Sequence, residues 1–102
     1  MDIEDIKSSV RIGDFRLSLH AEIEATNENL EIMQIVRAIL NSQMLEEYPN
    51  TGRGESCLLV GFADSIPIHV VCGFRGNAVI VITVYTPGLP KFVDPWTRSS
   101  TR

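Results

Sequence analysis

Apolar residues follow two different rhythms along this chain. Through the first half they recur every three or four positions, and through the second they alternate or run together. Ile3, Ile6 and Val10 share one face of a helix predicted over residues 2–11, which Gly13 ends. Phe15-Arg16-Leu17 reads as a short extended link. Ser18 is then placed to cap a second helix, since its hydroxyl can take a free amide of the first turn. Leu19 and Ile23 mark the expected buried face of that helix, and Thr26-Asn27-Glu28-Asn29 breaks it. From Leu30 to Ser42 a wide apolar stripe predicts the strongest helix. It runs through Leu30, Met33 and Val36, or through Ile32 and Ile35, and is completed by Ile39 and Leu40.

Beyond the helices the pattern changes to strands. Met44 to Tyr48 reads as a first strand, and Pro49 to Gly54 as a loop. Ser56 to Phe62 and Pro67 to Phe74 read as a hairpin turning at Asp64-Ser65, with Cys57 opposite Cys72 and Val60 opposite His69. Ala78 to Thr86 is apolar on both faces, as a central, doubly covered strand would be, and Pro87-Gly88-Leu89-Pro90 stops it. The tail from Lys91 reads as irregular, anchored by Phe92 and Trp96. Helices followed by strands predict an α+β fold, with N-terminal helices packed on a three- to four-stranded antiparallel β-meander. Residues 1–102 read as a single domain, long enough to bury one core without staples.

Charge adds an asymmetry. Residues 1–50 hold ten acids against four bases, net −6, while 51–102 hold three acids against five bases, net +2. The sheet half can therefore carry a local positive field within an acidic protein, although solvated helix faces give the same pattern. No apolar run approaches the roughly 18 residues of a membrane span. The acidic start Met1-Asp2-Ile3-Glu4-Asp5 lacks the order of a signal peptide, so the expected location is cytoplasmic, with reduced thiols. Two cysteines and two histidines are zinc-type ligands, but their spacing matches no zinc motif, and neither metal nor cofactor is expected.

The candidate chemistry lies in the histidines and the last strand. His20 falls in the first turn of its helix, where the N-terminal dipole favours a neutral ring able to accept a proton. A histidine bonded to a backbone carbonyl is the plainer alternative. His69 alternates with Ile68 and Val70, so it faces away from them. The surface turn at Asp64-Ser65 favours the open, solvent-facing side of the sheet for it. Thr83 and Tyr85 share a strand face, where two hydroxyls can bond a phosphate or a ribose. Arg53 and Arg75 sit in glycine-rich loops and are the candidate phosphate clamps.

Ser18-Leu19-His20-Ala21, Leu45-Glu46-Glu47-Tyr48-Pro49, Leu58-Leu59-Val60-Gly61, Pro67-Ile68-His69-Val70-Val71 and Ile82-Thr83-Val84-Tyr85-Thr86-Pro87 occur in that order, with Trp96 beyond them. Together they resemble the DUF4258 family of small bacterial proteins over about residues 14–98. That family is grouped by distant fold similarity with RelE-like and colicin-type ribonucleases. The resemblance implies a RelE-like fold and an RNA-cleaving toxin, with RNA and a cognate antitoxin as partners. In that reading His20 takes the 2′-hydroxyl proton and His69 or Tyr85 protonates the leaving oxygen. Thr83, Arg53 and Arg75 hold the substrate, with no metal involved. The alternative is a non-catalytic module that binds another protein and in which both histidines are structural.

Overall fold

Asp2 accepts the Glu4 amide and starts helix α1, Ile3–Arg11, which turns Ile6 and Val10 into the core. The computed structural model describes residues 1–50, 52 and 54–100. Strand β1, Phe15–Leu17, follows, and then Ser18 caps α2, Leu19–Asn27, by accepting the Ala21 amide at 3.1 Å. A capping box between Glu31 and Gln34 opens α3, Ile32–Leu40. The chain then forms β2, Gln43–Tyr48, β3, Ser56–Ala63, β4, Ile66–Arg75, and β5, Ala78–Tyr85. Two short strands, β6, Phe92–Asp94, and β7, Thr97–Arg98, pair with each other in the tail.

The protein is α+β, with three helices and a five-stranded mixed sheet ordered β1-β5-β4-β3-β2. This corrects the expected three- to four-stranded antiparallel meander. Phe15–Leu17 is not a link but a fifth strand, parallel to β5 through Phe15↔Val79 and Leu17↔Val81. β4 therefore takes the middle of the sheet, and β5 lies between it and β1. The β3–β4 hairpin has the expected register, with Cys57↔Cys72 and Val60↔His69, around the two-residue turn Asp64-Ser65. Asp64 takes a positive φ of 57°, a conformation that aspartate tolerates in such turns.

The main core lies between the helices and one sheet face, where Ile6, Ile35 and Ile39 meet Leu59, Val70 and Val81. Two expectations about helix faces change here. Leu19 and Ile23 are 72% and 52% exposed, and Ala21 and Ala25 are the residues α2 buries. Small side chains let that helix lie close against β5, so its large ones point outward. In α3 the stripe through Ile35 and Ile39 is the buried one, and Met33 is exposed.

The opposite sheet face is not bare. The tail folds over it, placing Phe92 against His69 and Trp96 beside Phe62. Arg98 fastens the tail with two bonds to Glu46 of β2, at 2.6 and 2.9 Å, and its guanidinium lies 4.8 Å from the Phe92 ring centre. Among the described residues no helix is long and apolar enough to cross a membrane.

Candidate functional site: a hollow beside the last sheet strand

β5 outruns its parallel neighbour. After Leu17 the chain turns into α2, and Ser18 continues the pairing by giving its amide to Val81 O and its hydroxyl to Ile82 O. Beyond that, two carboxylates stand in for the missing strand. Glu24 Oε1 accepts the Val84 amide at 3.1 Å, and Glu28 Oε1 accepts the Thr86 amide at 3.0 Å and the Thr86 hydroxyl. These bonds hold α2 alongside the end of β5, and His20 comes with it. His20 Nε2 lies 3.3 Å from Glu24 Oε1, one helical turn on, and the ring is 68% exposed.

The result is a hollow of about 400 Å³ lined by His20, Glu24, Thr83, Tyr85, Thr86 and the segment from Gly88 to Lys91. An irregularity in β5 shapes it. Val71 pairs with Thr83 but Cys72 pairs with Val81, so Ile82 is an extra residue. This bulge turns Thr83 and Tyr85, which share a face by the strand's period of two, to the side away from the helices that Val79 and Val81 face.

Behind Tyr85 stands His69, its directly paired partner on β4. His69 lies on the face away from the helices, as expected, but it does not meet solvent. It is 0% exposed, because Phe92 and the Pro95 segment seal that face. Its bonds define its state. Nε2 lies 2.7 Å from the Pro95 carbonyl, which can only accept, so Nε2 carries the hydrogen. Nδ1 is then the acceptor for the Tyr85 hydroxyl at 3.1 Å. Burial lowers the His69 pKa, against the opposing effect of the Pro95 bond, and so holds the ring neutral. Burial likewise raises the Tyr85 pKa and keeps the phenol protonated.

Of the residues singled out in the sequence, His20, Thr83 and Tyr85 line one hollow, with His69 reaching it through Tyr85. Arg75 is not with them. It lines a separate hollow of about 320 Å³ with Tyr48, Ser56, Phe74, Ile80 and Ile82. Arg53 lies outside the described residues. The cation at the His20 hollow is Lys91, which sequence reasoning placed only in the tail. Glu24 was also missed, although its place four residues after His20 on a helix was a usable signal. Among the described residues no three His, Cys, Asp or Glu side chains gather as a metal-binding set.

A family model described as a domain of unknown function, DUF4258, matches residues 17–86, a span that holds His20, His69, Thr83 and Tyr85. No curated protein and no solved structure shows significant similarity to the chain.

Proposed function

The chain belongs to the DUF4258 family, which carries no assigned activity, and we propose that it is a cytoplasmic, RelE-like ribonuclease that cleaves RNA by metal-independent acid–base chemistry. The observation that carries this reading is the shared hollow. An exposed imidazole, three hydroxyls and a lysine line it, with a second, neutral imidazole bonded behind the phenol.

In this reading the acid and base roles run opposite to those that the sequence suggested. Tyr85 already donates to His69, so the acceptor side of the site is the Tyr85 oxygen. The ribose 2′-hydroxyl gives its proton to that oxygen as the phenol proton passes to His69 Nδ1. The 2′-oxygen attacks phosphorus, and the 5′-oxygen leaves with a proton from His20. Glu24 Oε1, 3.3 Å from His20 Nε2, orients the ring. Lys91 offsets charge on the phosphate, and the Thr83 hydroxyl bonds one of its oxygens.

Incubation of the purified protein with single-stranded RNA tests this. Cleavage to 2′,3′-cyclic phosphate ends is expected, falling about 10²–10⁴-fold in His20→Ala and in Tyr85→Phe while circular dichroism is unchanged. Intact RNA with folded wild-type protein would remove the enzyme reading. The protein-binding module would then stand, and the outward Leu19 and Ile23 of α2 beside Glu22 favour that second reading.

A further inference from the structure

Cys57 and Cys72 take no part in the hollow. They lie on the helix-covered face as Cα partners across the β3–β4 pair, both fully buried, with Sγ atoms 4.0 Å apart. Directly opposed residues of an antiparallel pair have Cα atoms about 4.5–5.5 Å apart, inside the range that a disulfide spans. Bonding needs the sulfurs to approach to about 2.05 Å, so the remaining gap is about 2 Å. On its other side Cys72 adjoins the register shift where β5 carries its extra residue, so the β4–β5 ladder is locally interrupted there.

The two thiols are not equivalent. The bond from Cys72 lowers the Cys57 pKa against the opposing effect of burial, and the Met1 ammonium adds to the lowering. The same contact and burial raise the Cys72 pKa. Cys57 is thus the better nucleophile and lies within electrostatic reach of Met1, Glu47 and Glu55 at the surface.

We propose that Cys57 and Cys72 form an oxidation site that a peroxide converts into a reversible intramolecular disulfide. The Cys57 sulfur attacks one peroxide oxygen and breaks the O–O bond, giving a sulfenic acid. The other oxygen leaves and takes the thiol proton as water. The Cys72 sulfur then displaces the sulfenic hydroxyl, the S–S bond forms, and the Cys72 proton departs in a second water. Two thiols are oxidised by two electrons and one hydrogen peroxide is reduced to two waters.

The test is intact-mass spectrometry of the folded full chain after brief exposure to hydrogen peroxide. A loss of about 2 Da is expected, reversed by dithiothreitol, with one peptide linking residues 57 and 72. The melting temperature of the oxidised form should rise by roughly 5–15 °C, since the link closes a short loop between paired strands. Separate gains of about 16 or 32 Da on the two sulfurs would overturn the proposal. So would an unchanged mass, or a disulfide-linked dimer on a non-reducing gel. In Cys72→Ser the hydroxyl can still bond the Cys57 sulfur but cannot resolve a sulfenic acid, so about 16 or 32 Da should accumulate on Cys57. An inert Cys57 in that variant, still folded, would overturn the order of steps.

Discussion

His69 joins stability to chemistry in one ring. Its folded pKa is lowered, so between that value and about 6.5 the unfolded chain binds a proton that the folded chain does not. The contribution of His69 to stability is therefore full above about pH 6.5 and declines as the pH falls through that value. The urea midpoint of the wild type should drop on going from pH 7.5 to 5, and His69→Gln should flatten that drop. An equal slope in the variant would assign the titration to another group. The variant should also lose about 2–4 kcal/mol at pH 7.5, because it removes a buried ring and leaves the Pro95 carbonyl and the Tyr85 hydroxyl to find new partners. The common face of Thr83 and Tyr85 was legible from a period of two. The seal over His69 was not, because nothing periodic in Phe92–Arg98 announces strands of three and two residues.

The contact between α3 and β3 depends on the absence of a side chain. A Cβ on Gly61 would stand 1.9 Å from the Ala38 carbonyl oxygen and 2.6 Å from its carbon, both backbone atoms that cannot swing aside. Gly61→Ala should therefore push the helix off the sheet and cost about 3 kcal/mol or more in a guanidinium titration. Gly88→Ala is the control, since its Cβ meets nothing within 4 Å, and its effect should stay within about 0.5 kcal/mol. Equal stability of the two variants would mean that the helix can shift without loss. At this scale the three helices and the β3–β4 hairpin were readable because each is specified by neighbours in sequence. β1 was not, because three residues carry too little alternation and their partner lies about 64 residues away. The faces of α2 were misjudged for a related reason. Side-chain size marks a buried stripe only where the packing distance is ordinary, and here alanines permit close approach.

The whole molecule is closed by its ends. The tail crosses the sheet from β5 to β2, and Arg98 pairs with Glu46, a residue 52 positions earlier that also accepts the Tyr48 hydroxyl at 2.6 Å. The Arg98 guanidinium holds the Glu46 carboxyl at a pKa of about 2, with burial opposing, so this contribution is full above about pH 4.5 and lost as the pH falls through about 2. The pair is partly exposed, and salt weakens such pairs. Its importance lies in position, because the segment it fastens carries Phe92 and the Pro95 carbonyl that enclose His69. Arg98→Ala should loosen the tail while the five-stranded sheet persists. Trp96 emission should shift to the red, and far-UV circular dichroism should change little. The Nε2 proton of His69 should exchange with solvent at least tenfold faster, a change of about 1.4 kcal/mol in the opening equilibrium. In the wild type, molar salt should move the same signals part of the way. If His69 exchange is unchanged in Arg98→Ala, burial of Phe92 alone holds the tail, and the ion pair only decorates a cover already in place.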